Sequence, residues 1–220
     1  MIEVPRSEIF RYLGQKQTEE SQAELGVLIE DSLAQLKREA QPRSITQAVP
    51  LQIDGETIQI CDTAIHSQSL LRNLRGCSQV ILMACTLGRG ADRLIARAQL
   101  RSVLLAAVMN ACANAMIEAY CDEVNQQAAE QMKQNGLYCR PRYSPGYGDL
   151  PLTFQRDFFS LLPVTRSIGV VLNDSLLMVP EKSVTALIGV SEADSGCSKG
   201  GCETCAVHNS CAYSRTERQK

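Results

Sequence analysis

The chain has 220 residues, 45% of them hydrophobic and 21% charged, with a formal net charge of −2. That length suits one sizeable domain or one domain with an appendage, and the small net charge argues against nucleic acid or an anionic membrane surface as a partner. No window is expected to reach the roughly 20 apolar residues of a membrane span, and the N-terminal MIEVPRSEIF has no export-signal pattern, which points to the cytoplasm.

The apolar periodicity predicts an amphipathic helix over residues 18–40, with Leu25, Leu28, Ile29, Leu33 and Leu36 on its buried stripe and Pro42 closing it. Two strands follow, 45–53 and 57–61, joined at Asp54-Gly55, a strong hairpin signal. A short helix is expected over 67–74, and a buried strand over the unbroken apolar run 78–85. After Thr86-Leu87-Gly88 come a helix over 89–98 and a long one over 100–131. Residues 138–150, with Pro141, Pro145, Gly146 and Gly148, must be loop. A helix over 153–162, with Thr153 at its start, and strands over 168–172, 176–179 and 183–190 complete the chain. The order is α+β: a single domain with a long central helix and an antiparallel or mixed sheet, plus a Cys-rich C-terminal loop.

Ten cysteines divide unevenly. Cys61, Cys77, Cys85, Cys112, Cys121 and Cys139 are scattered through apolar or mixed stretches and are expected as small buried hydrophobes. Cys197, Cys202, Cys205 and Cys211 fall together among glycines, spaced C-x4-C-x2-C-x5-C. Four thiolates in so short a loop suit tetrahedral zinc or an iron–sulfur cluster, and the spacing does not choose between them.

Arg140 to Pro151, RPRYSPGYGDLP, is the most informative stretch. Its glycines leave room for a ligand near the backbone, Tyr143 and Tyr147 offer flat faces, and Arg140 and Arg142 offer a fork for a carboxylate. On the long helix Asn110, Asn114 and Glu118 recur every four residues, a polar line among apolar neighbours. Such a line either forms a structural network or walls a pocket.

The run Arg142-Tyr143-Ser144-Pro145-Gly146-Tyr147, followed by Pro151, resembles the R-x-x-P-G-Y signature of the activation domain of cobalamin-dependent methionine synthase. Lys182-Ser183-Val184-Thr185-Ala186 ahead of Gly189, and Thr86-Leu87-Gly88, resemble other segments of short, stand-alone members. The likeness covers about half the chain, from Val80 to Val190. It implies an N-terminal helical segment over 1–44, an activation-domain-like core over 45–192 and a Cys-rich metal-binding tail over 193–220.

The resemblance also implies that Arg142 grips the carboxylate of S-adenosylmethionine and that Ser144 and Tyr147 supply backbone contacts. Gly146 lets the backbone approach the ligand. A helix glutamate of the family falls on Glu118 or on Asn114. The implied role is reductive remethylation of cob(II)alamin, within a methionine synthase-type methyltransferase system. No corrinoid-binding pattern stands in the chain, so the cobalamin is expected on a partner: a corrinoid-binding protein or a methionine synthase lacking its own activation domain. An electron donor is required. The rival expectations are a non-catalytic assembly subunit, or an iron–sulfur or zinc module for electron transfer or sensing.

Overall fold

The computed structural model describes residues 2–15 and 18–193. A six-stranded sheet, every pair antiparallel, divides two layers of helices. Its strands are β1 (Arg43–Asp54), β2 (Thr57–Ile60), β3 (Thr63–His66), β4 (Gln79–Thr86), β5 (Tyr138–Cys139) and β8 (Ser183–Ser191), in the order β3-β2-β1-β4-β8-β5. A separate two-stranded ribbon joins β6 (Val171–Leu172) to β7 (Met178–Val179).

β4 lies inside the sheet and is buried on both faces, which is why its sequence reads as an unbroken apolar run. Ile81, Met83 and Cys85 point to one core, and Val80, Leu82 and Ala84 to the other. The first core is closed by α1 (Arg6–Tyr12), α2 (Glu19–Glu39), α4 (Arg89–Gln99) and α5 (Val103–Gln134). The second is closed by α3 (Gln68–Leu74), α6 (Phe154–Leu161) and α7 (Val164–Ile168). Thr18 opens α2 with a reciprocal cap to Ser21, and Ser102 caps α5 through the Leu105 N–H.

Several expectations need correction. α1, β3 and β5 were not foreseen. Residues 168–172 are not one strand: α7 ends at Ile168, Gly169 turns the chain in a left-handed conformation (φ 73°), and only Val171–Leu172 pair. β-Branched Val164, Thr165 and Ile168 disguise this helix, which packs under β1 and β4. Thr153 makes no side-chain cap at α6. Cys61 is exposed at a turn and Cys77 half-buried, while Cys85, Cys112, Cys121 and Cys139 are buried as expected. By length and composition alone α5 could cross a membrane, contrary to the sequence expectation, and half of its most apolar window is buried in the protein. Cys197, Cys202, Cys205 and Cys211 lie outside the described residues.

The turn into α4 brings two distant segments together. The Thr86 hydroxyl accepts from Gly88 N at 3.0 Å, and Gln41 N donates to Leu87 O at 2.8 Å. A Cβ at Gly90 would overlap the Glu39 carbonyl oxygen, so the α4 N-terminus meets the end of α2 backbone to backbone.

Candidate functional site

The site grows from one edge of β8. The opposite edge of that strand is paired with β4 from Ser183 to Val190. On the near edge β5 pairs with Ser191 and Val190, Arg140 N donates to Gly189 O at 2.7 Å, and Tyr143 and Leu187 exchange two bonds of 2.8 Å. Beyond Leu187 the covering chain turns away, and a cavity of about 660 Å³ opens. Ser183, Val184 and Thr185 of β8 line it, with Glu118 of α5 and Gln155 of α6 to either side. Ser144, Pro145, Tyr147 and Leu152 form one wall, residues 176–179 the other, and Asp92 and Glu181 the far end.

Arg140 and Arg142 do not form one fork. Three steps along the loop, from Arg140 to Tyr143, face two along β8, from Gly189 to Leu187. That extra residue is a bulge, and it separates the two side chains. Arg140 Nη2 donates to Arg75 O at 3.1 Å, beyond α3. Arg142 turns to α5, where its Nη2 donates to Asp122 at 2.6 Å and to Glu118 at 3.4 Å. Nε and Nη1 of Arg142 have no hydrogen bond among the described residues, which leaves two nitrogens of the guanidinium as further donors.

Burial works against the Arg142 charge, but the Cys121 thiol, Glu118 and Asp122 outweigh it and raise its pKa. Cys121 itself is pushed up, first by contact with the Cys85 thiol and then by burial. Behind Glu118 stands Tyr12 of α1, whose phenol is raised by burial and by the Glu118 charge. Of the helical polar line, Glu118 faces the cavity, whereas Asn114 and Asn110 are half-buried and do not line it.

The loop is held by contacts the sequence does not advertise. Gly146 (φ 91°) donates its N–H to Leu150 O at 2.9 Å, a turn rather than part of the cavity lining. Tyr143 donates its hydroxyl to Tyr147 O at 3.1 Å. A Cβ on Gly148 would overlap that hydroxyl and lie 2.9 Å from Ser69 Oγ, so this glycine gives close approach to the protein's own side chains. Asp149 clamps the start of α3: it accepts from Ser67 Oγ at 2.5 Å, Gln68 N at 2.7 Å and Ser69 N at 3.0 Å. The Ser67 bond first, and then the two backbone N–H groups, hold its carboxyl well below the usual range. A carboxylate with a depressed folded pKa stabilises above its unfolded pKa and loses that effect as pH falls toward the folded one. Asp149→Asn is therefore expected to lower the melting temperature at neutral pH, with the gap to wild type closing below about pH 4. A gap that stays constant through that acid range would show that the charge contributes nothing.

Gln155, Thr185 and Asp92 are among the cavity residues that the sequence reading missed. Gln155 and Thr185, 4% and 2% exposed, meet through Gln155 Nε2 donating to Thr185 Oγ1 at 2.8 Å. Asp92 accepts from Glu181 N at 2.8 Å through Oδ2, while its buried Oδ1 has no partner among the described residues. Thr185, a polar residue inside an apolar run, carried a signal; Asp92 and Gln155 stand beside charged residues and carried none.

A family model described as vitamin B12 dependent methionine synthase, activation domain, matches residues 72–196. Among solved structures, the crystal structure of the MetH reactivation domain bound to AdoHcy superposes with a TM-score of 0.65 at 18% identity, over 87% of this chain and 75% of that one. At that identity the likeness is one of fold. Comparison with curated proteins gives no match.

Proposed function

Because the chain belongs to the activation domain family of vitamin B12-dependent methionine synthase, we propose that it serves reductive remethylation of a corrinoid, binding S-adenosylmethionine in the cavity beside Arg142 and acting in trans. The observation that carries the reading is Arg142: a guanidinium 18% exposed, pinned through one nitrogen by Glu118 and Asp122, with its remaining donors open. Its free nitrogens can give a carboxylate charge-assisted hydrogen bonds. A cavity of about 660 Å³ is in the range of small-molecule sites. A solved relative bound to AdoHcy supports the same ligand class.

S-adenosylmethionine supplies an activated methyl group, which with one electron converts cob(II)alamin to methylcobalamin. The chain's own part is binding and orientation. Arg142 holds the carboxylate, Ser144 and Tyr147 offer backbone groups, and the Glu118 carboxylate favours a positive ligand. Tyr147, Leu152 and Leu177 (69%, 41% and 60% exposed) make an apolar rim against which a corrinoid-bearing partner would close the site. That partner is a corrinoid-binding protein or a methionine synthase without an activation domain of its own. The electron comes from a separate donor, or through an iron–sulfur site at Cys197, Cys202, Cys205 and Cys211; the cysteine spacing suits zinc equally, and zinc there would be redox-inactive.

Two measurements test this. Calorimetry of the full chain with S-adenosylmethionine and S-adenosylhomocysteine should give saturable binding. A cob(II)alamin-loaded partner with a reductant should then regain methylcobalamin absorbance only when the chain and S-adenosylmethionine are both present. Binding without any remethylation would leave an assembly role; no binding would end the proposal.

A further inference from the structure

The turn Thr86-Leu87-Gly88 and the start of α4 border a second cavity, of about 340 Å³, which shares no lining residue with the one beside Arg142. Arg43, Arg89 and Arg93 line it, and no carboxylate does. None of the three guanidinium groups has a hydrogen-bond or ion-pair partner among the described residues. The whole chain carries a net charge of −2, so three unpaired cations around one concavity are a local excess against the overall balance. A concave surface lined by one sign of charge concentrates ions of the other.

The backbone adds to this excess. Gly88 opens α4 with no side-chain cap, and the N–H groups of Arg89, Gly90 and Ala91 have no hydrogen-bond partner among the described residues. Such donors are met by caps, by water or by a ligand. Gly88 and Gly90 both line the cavity, so bare backbone stands at its wall. A strand that passes through a glycine turn into a helix brings these donors and the positive end of the helix to one place. The facing wall is different in kind: Ile168 and Pro180 are apolar and buried.

We propose that this cavity is a binding site for a phosphate group, its oxygens held by Arg89, Arg93 and the Gly90 N–H, with Arg43 supplying a third positive charge. Planar guanidinium groups suit phosphate oxygens, which accept paired charge-assisted hydrogen bonds. The volume is at the lower end of small-molecule sites and leaves room beside Ile168 and Pro180 for a small carbon skeleton carrying the phosphate. Arg43 comes from β1, before the matched residues 72–196, so the site draws on the N-terminal part of the chain as well. It is independent of the ligand proposed for the cavity beside Arg142.

The full chain, labelled with nitrogen-15, is titrated with inorganic phosphate and separately with phenyl phosphate, at constant ionic strength. Both are expected to bind saturably and to shift the Gly90 amide resonance. Tighter binding of phenyl phosphate assigns the apolar wall to a carbon skeleton, and equal binding assigns the site to the free anion; either result supports a phosphate site. Arg89→Ala and Arg93→Ala should each weaken phosphate binding roughly tenfold. Both side chains are exposed, so the melting temperature without ligand should not change. Arg101→Ala, an equally exposed arginine outside the cavity, should leave the affinity as it is. Absence of saturable binding overturns the proposal. So does an unmoved Gly90 amide with phosphate bound, or a loss in Arg101→Ala equal to that in the cavity variants, which would mark diffuse attraction to surface charge.

Discussion

Arg142→Ala is expected to weaken S-adenosylmethionine binding by about 1.5–3 kcal/mol, the range for a hydrogen bond to a charged group. The substitution acts twice. It removes the open donors meant for the carboxylate, and it leaves Glu118 and Asp122, both ion-paired to Arg142, without their cation beside an anionic part of the ligand. Arg142→Lys should restore the charge but not the fixed planar set of donors, and so recover part of the affinity. Titration calorimetry on folded samples of all three proteins reads the difference. If both variants bind as wild type does, the carboxylate lies elsewhere.

Phe158→Ala should cost about 3–5 kcal/mol of stability, as expected for a large aromatic removed from a packed core. Phe158 is 0% exposed and lies in the second core among side chains of α3, α7 and the sheet. It anchors α6, a helix of 8 residues that is too short to persist without its packing. Urea unfolding would give the loss directly. Because α6 also carries Gln155 to Thr185, ligand affinity in the folded fraction should fall as well. A loss under about 1 kcal/mol would mean that α6 is not fixed against the sheet.

The elements legible in the sequence are those whose signal is local. The apolar runs of β4 and β8, the hairpin at Gly55 and the length of α5 follow from periodicity and turn chemistry. β5 is only Tyr138–Cys139 and exists because Ser191 and Val190 lie opposite; no pattern of two residues announces that. The loop 140–151 stood out by composition, and its arginines were read as a pair. Their separation depends on a bulge defined by strand register, which a linear reading does not contain. Asp149 and Ser67 are 82 positions apart, so the clamp on α3 is equally invisible. The four-residue spacing on α5 marked Asn110, Asn114 and Glu118 alike, and only Glu118 lines the cavity, because the cavity meets the helix at that turn alone.

β4 belongs to the matched region, but its pairing with β1, from Arg43 to Pro50, lies wholly before it. So do α1 and α2, which close the first core over α5. A gene trimmed to residues 72–196 would bare an apolar strand along one edge and strip a helix layer from one face. The shared stretch is thus a unit of descent and not a unit of folding. The first 71 residues can diverge in sequence, but a substitute must still bring a strand to β4 and a helix to α5.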